Sequence, residues 1–259
     1  MNGEEIFTAT DYFHPFPRPE DVFADNIEQH PLTSRLPGTQ SHLTGLARVQ
    51  FLIPIEPIPG FGGLGDDSAS YHNYLCRPNW VAYEYHGNGC RLACDFRFFH
   101  KEYFKHHPTE DDIQKEEIAE TPEHYAETRR NFEATEQHFR EYGWVSSDAL
   151  NCDGSPYGTE LPAEEDWGRA SLVCRIGGKS FYGNWSFASE FPCSQYPDKY
   201  QDDDGTIECD RVLPQTEDGR DFHFIGELEM WNYIGYTNGV VVLFYDPQTQ
   251  IALSGFDWT

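Results

Sequence analysis

The chain has 259 residues, with 44 Asp plus Glu against 18 Lys plus Arg and a formal net charge of −26. Its 19 Phe, 6 Trp and 15 Tyr are far too many aromatics for an acidic disordered tail. The composition therefore predicts a folded protein inside a negative field, which repels nucleic acid and anionic membrane and favours a basic partner.

A chain of this length can bury a sizeable core, and a single domain over 1–259 is expected. Mean hydropathy is low, −0.66, but large aromatic side chains can supply the missing burial. Met1-Asn2-Gly3-Glu4-Glu5 has neither a basic nor an apolar leader region. The longest apolar run, Val240 to Tyr245, is six residues and too short to span a membrane. The seven cysteines, an odd number without a leader, fit reduced thiols. The expected location is the cytoplasm.

Residues 1–45 are rich in Pro and polar residues, and His14-Pro15-Phe16-Pro17-Arg18-Pro19 excludes a helix interior. The segment reads as an extended arm with aromatic anchors. Residues 46–100 read as β: Leu46 to Ile55, a Gly/Pro loop from Pro57 to Asp67, then Trp80 to His86. A turn at Gly87-Asn88-Gly89 leads to a returning strand over Cys90 to Phe99.

Residues 101–143 form a helical insertion. Thr109 opens a helix, Thr121-Pro122 restarts it, and Gly143 stops it. Tyr125, Phe132, Phe139 and Tyr142 mark its inner stripe. Thr109 to Tyr142 holds 11 acidic and 4 basic residues, a net −7.

Residues 144–259 return to β. Strands are expected over Ala170–Ile176, Phe181–Phe187, Phe222–Trp231, Val240–Asp246 and Gln250–Asp257. Pro197 to Asp221 reads as an acidic loop, with nine acidic and three basic residues, a net −6. The fold class is α+β: a mainly antiparallel β scaffold with a central acidic helical insertion.

The C-terminal third carries a recognisable order of motifs. Gly177-Gly178 leads to an aromatic segment with Trp185, then Pro192-Cys193 and an acidic spacer. Phe222-His223-Phe224-Ile225-Gly226-Glu227-Leu228 follows, and Gly239-Val240-Val241-Val242-Leu243-Phe244-Tyr245-Asp246 closes the run. This resembles the YwqG-like family of bacterial proteins. It departs from that family at Lys179, where a proline is usual, at Cys193, where a Cys-x-x-Cys pair is frequent, and at Glu227, where glutamine stands. The resemblance implies an immunity protein that neutralises a secreted toxin in bacterial competition. The residues have structural reasons of their own: Gly226 allows a close backbone approach within a strand.

Three constellations bear on chemistry. Glu227 and Glu229 share a strand face opposite Phe224, Leu228 and Met230, at a spacing open to paired carboxylates for acid–base work. A solvated strand face is the favoured reading, because carboxylate pairs are common in so acidic a chain. His100, His106 and His107 lack metal-site spacing and read as surface histidines. Asp202-Asp203-Asp204-Gly205 starts like a calcium loop, but position 12 is Leu213, so a solvated loop is expected. No metal, cofactor or catalytic residue is assigned.

The functional expectation is an immunity protein that blocks the active cleft of a basic toxin, such as a nuclease, with an acidic surface. Its contact residues are expected to be Glu116, Glu120, Glu127 and Glu133 on the helix. Asp202, Asp203, Asp204 and Glu208 supply the second acidic surface, with Tyr196, Tyr200 and Trp231 as aromatic anchors. The competing expectation is a hydrolase that uses Glu227 and Glu229. Direct nucleic-acid or membrane partners are not expected.

Overall fold

Segments rich in Val, Phe and Tyr supply the middle of one antiparallel sheet. The computed structural model describes residues 3–10, 13–24, 32–33, 38–39, 49–56, 63–86, 89–146, 169–187, 191–202, 205–235 and 239–258. Nine of its strands matter here: β1 (Glu4–Ile6), β2 (Trp80–His86), β3 (Gly89–Leu92), β4 (Val173–Ile176), β5 (Cys193–Asp202), β6 (Gly205–Pro214), β7 (His223–Glu229), β8 (Val240–Asp246) and β9 (Ile251–Asp257). Seven of them form a sheet in the order β1-β4-β7-β8-β9-β2-β3, antiparallel throughout. β5 and β6 pair with each other in a separate two-stranded ribbon, which Phe181 joins by a single bridge to Arg211.

The central strand β8 is buried from Val241 to Asp246 because both sheet faces are covered. On one face the rings of Trp80, Trp185, Phe191, Phe224 and Phe244 interlock, with Trp80 and Phe191 centroids 4.5 Å apart. On the other face Tyr85 meets Tyr245, and Phe23 meets Tyr83. The Tyr85 hydroxyl there accepts the Gln50 N–H at 2.8 Å.

The two α-helices longer than one turn among the described residues are α1 (His100–His106) and α2 (Asp112–Tyr142), between β3 and β4 in the chain. The fold is α+β. α2 is one continuous helix, not two, and Asp111 caps it in place of Thr109, its carboxylate accepting the Gln114 N–H at 3.0 Å. Pro122 lies inside it and cannot donate to the carbonyl one turn earlier. The Thr121 hydroxyl donates to the neighbouring Glu117 carbonyl at 3.2 Å. Packing of the following turns offsets the proline: Tyr125, Thr128, Asn131, Phe132, Thr135 and Glu136 are buried. Gly143 ends the helix in the left-handed conformation, φ 79°, as expected.

The buried stripe of α2 is more polar than its aromatics suggest, for a specific reason. It covers the C-terminal end of the one-turn helix Trp231–Ile234. Asn131 donates to the Ile234 carbonyl at 2.9 Å, and Thr135 donates to the Tyr233 carbonyl at 3.2 Å. These groups satisfy carbonyls that a helix end leaves open. The N-terminal arm completes the joint. Phe16 inserts its ring against Phe132, Phe139 and Tyr233, at centroid distances of 5.4–5.7 Å. Phe13, Phe16 and Phe23 are all buried.

Several expected strands are shorter or absent. Residues 49–56 hold two short strands, Val49–Gln50 and Ile53–Pro54. The strand expected to Phe99 stops at Leu92, and Phe96–Phe98 makes a 3-10 turn. Arg169–Ala170 pairs with Val145–Ser146 and is distinct from β4. Phe181–Phe187 is not a strand: Phe181 forms a single bridge to Arg211, and Asn184–Phe187 is a helical turn. Trp185 packs against Trp80 and Phe244, whereas Tyr182 is exposed, so the segment does not alternate across a sheet. β7 ends at Glu229, so Trp231 begins a helix.

Candidate partner-binding surface

The segment read as an acidic loop is a β-ribbon. β5 and β6 pair over ten residues each, from Cys193↔Pro214 to Asp202↔Gly205. Low hydropathy and Pro197 hid the strands, because a ribbon that stands clear of the core needs no apolar face. Its base is tied down: Val212 is buried and bonds backbone to backbone with Ser180 at 3.1 Å. Farther out, Gln195, Tyr196, Pro197 and Lys199 on β5 and Thr206, Ile207, Glu208 and Asp210 on β6 are all exposed.

The two ribbon faces differ. On one, Tyr196 and Ile207 are large exposed apolar side chains, 37% and 51% accessible. Tyr196 is fixed in place: its hydroxyl donates to Asp221, and the Arg211 guanidinium lies 4.8 Å from its ring centre. An open groove of about 750 Å³ lies mainly on the other face, lined by Tyr182, Gln195, Pro197, Lys199, Glu208 and Asp210, with Asp198 and Cys209 also contributing. Asp198 is matched already, since its bond from the Lys179 ammonium at 2.6 Å holds its carboxyl below the usual range. Glu208 has only a long contact, 3.6 Å, to Lys199 and is 85% exposed.

Glu208 thus lies where expected, on exposed acidic surface. Asp203 and Asp204 lie outside the described residues, as do the side chains of Tyr200 and Asp202. Glu116, Glu120, Glu127 and Glu133 are all exposed on α2. At about 100° per residue, Glu116, Glu120 and Glu127 share one stripe and Glu133 lies roughly 120° from its centre. Trp231 is 37% exposed and starts the turn on which α2 packs. It belongs to the helical surface, not to the ribbon. Tyr196, a candidate aromatic anchor on sequence grounds, is exposed as expected, whereas sequence reasoning missed Tyr182 and Ile207.

Glu227 and Glu229 do not act as a pair. Glu227 is bound by the Arg175 guanidinium, which also lies over the Phe224 ring. Burial raises the Glu227 pKa, and Arg175 pulls it partly back. Glu229 is exposed and accepts from the Asn232 amide at 3.2 Å. Leu228 and Met230 point the other way, as expected, but Phe224 does not. A bulge between Phe224 and Gly226 puts Phe224 on the Glu227 face.

His100 is not a surface histidine. It is 3% exposed, and its Nδ1 lies 3.2 Å from Asp67. Glu56, also buried, links three elements: its carboxylate accepts from the Tyr125 hydroxyl of α2 and, at 3.3 Å, from the Lys101 N–H at the start of α1. Burial raises its pKa, with the nearby His100 opposing. Burial also keeps thiols protonated, pushing Cys174 to about 11 and Cys193 to about 12. Among the described residues, no three His, Cys, Asp or Glu side chains are placed to hold a metal ion.

Two α2 histidines have lowered pKa values, chiefly through burial: His124, bonded to the Ile55 carbonyl at 3.1 Å, and His138, against Tyr142 and Trp144. The folded state therefore favours their neutral form. Their contribution is complete above the unfolded value of about 6.5 and is lost as pH falls through the lower folded values. The melting temperature should drop on acidification from neutral pH to about pH 5.5. A His124→Gln, His138→Gln double variant should show a flatter profile; an equal slope in both proteins would contradict the assignment.

No family model, no curated protein and no solved structure matches the chain. No helix among the described residues is long and apolar enough to cross a membrane.

Proposed function

We propose that the protein is a cytoplasmic immunity protein that binds a basic toxin, in keeping with its resemblance to the YwqG-like family. The observation that carries this reading is the β5–β6 ribbon. It holds exposed carboxylates, Glu208 and Asp210, beside Tyr182 on its groove face, with Tyr196 and Ile207 exposed on the opposite face. Such a surface combines long-range attraction with apolar anchors, the usual division between steering and binding energy. The exposed acidic stripe of α2 adds to the attracting field.

The test is to express any basic toxin domain encoded by a neighbouring gene in cells with and without this chain, with association followed in vitro. The chain should relieve growth arrest, and the association rate should fall steeply with added salt. Reversing Asp202, Asp203, Asp204 and Glu208 to lysine together should slow association by roughly tenfold or more. Unrelieved arrest, or a rate indifferent to salt, would remove the proposal.

A further inference from the structure

The ribbon's two outer edges are unlike. Antiparallel pairing turns the backbone groups of alternate residues outward. On β6 the outward residues are identified by their bonds: Pro214 O accepts from Phe222 N at 2.9 Å, Val212 N donates to Ser180 O at 3.1 Å, and Asp210 O accepts from Tyr182 N at 3.2 Å. The same alternation makes Glu208 the next outward residue. The short segment 180–182 therefore acts as a third strand along the base of β6 and leaves the row at Tyr182. After Gly183 the chain turns into the helical turn Asn184–Phe187. Beyond Tyr182 the edge of β6 continues past Glu208.

The outer edge of β5 is blunted. Pro197 falls among its outward residues and has no N–H, and Lys199 follows two residues later. Both devices discourage strand addition. The β6 edge between Asp210 and Gly205 has no proline, and its side chains there are acidic or short except for Ile207, which faces away from the groove.

We infer that the β6 edge beyond Tyr182 takes up an extended basic segment of the partner protein as an added strand. This inference rests on the proposed binding of a basic partner and names the part of the surface that holds it. Backbone bonds at Glu208 would continue the row that Ser180 and Tyr182 begin. Alternate Lys or Arg side chains of the segment would lie in the groove against Glu208 and Asp210, their stems on Tyr182 and Pro197. Charge selects this occupant over a second copy, because two chains of net charge −26 repel and would align acidic edges.

The test uses the full chain and a labelled peptide of alternating lysine and valine, read by fluorescence anisotropy and by hydrogen exchange. The peptide should bind and slow exchange at residues 206–210. Its glutamate–valine counterpart should not bind. Methylating alternate backbone nitrogens of the peptide, or the exchange Glu208→Pro, should each weaken binding by about tenfold, the cost of roughly one to two backbone hydrogen bonds. Glu208→Lys, which keeps the N–H, should weaken binding in a salt-dependent way. Binding that survives both methylation and Glu208→Pro, or that protects residues 111–120 of α2 instead, would overturn strand addition yet leave a basic partner in place. Failure of the lysine peptide to bind any part of the chain would count against both readings.

Discussion

Replacing Phe16 with alanine should lower the unfolding free energy by about 3–4 kcal/mol, the range for a large buried aromatic truncated to a methyl. The ring is 6% exposed and lies between Phe132 and Phe139 of α2 and Tyr233 of the turn beneath it. Its backbone is held at φ 57°, an uncommon conformation for a residue with a side chain. The surrounding contacts must outweigh that strain, so losing them removes the reason for the arm to stay. At about 2–4 °C per kcal/mol for a chain of this size, the melting temperature should fall by roughly 10 °C. Hydrogen exchange should rise across residues 125–139, where α2 loses its cover. Phe7→Ala is the control: Phe7 is 42% exposed, and little change is expected. Equal behaviour of the two variants in urea titration would mean that the arm does not anchor the helix.

Gly226→Ala should be of similar severity, about 3 kcal/mol, through crowding and not cavity formation. An ideal Cβ at this position would lie 2.4 Å from the Arg175 carbonyl oxygen and 3.1 Å from the Phe51 ring. The first contact is backbone in the neighbouring strand and cannot swing away. β4 and β7 would have to separate at Ile176↔Gly226, next to the Arg175↔Glu227 pairing. The Arg175–Glu227 ion pair and the aromatic face beside it would shift together. Glu229→Ala, on the same strand but exposed, should stay within about 0.5 kcal/mol. A glycine variant as stable as the glutamate variant would show that the strands can yield at this point.

The positions that were legible in the sequence share one property. β2, β8 and β9 alternate or run apolar, and the 86–89 hairpin carries its turn glycines. Gly226 was readable as a close approach, and its surroundings supply the neighbour, Arg175. Gly143 was readable as a helix stop because a left-handed residue there suits glycine. In each case local chemistry and burial agree, so a short window contains the answer.

The misread positions are those where partners distant in sequence decide. Pro122 looked like a helix start until Asn131 and Thr135, farther along, proved to be docked on residues 233–234. Phe224 changed faces because of a bulge that pairing with β8 reveals and spacing does not. His100 lies in an exposed-looking string of Lys and His, but Asp67 and Glu56 surround it from other elements.

By itself the sequence determined an acidic, aromatic-rich α+β protein whose charge favours a positive partner, because net charge and hydrophobic pattern are sums over residues. Only the tertiary structure decided where that charge can work. It turned the expected loop into a paired ribbon, matched Asp198 with Lys179, bound Glu227 to Arg175, and left Glu208 and Asp210 facing an open groove. The physical reason is that a carboxylate's availability depends on which cation folding brings beside it, and that neighbour is set by strand register and packing between distant segments.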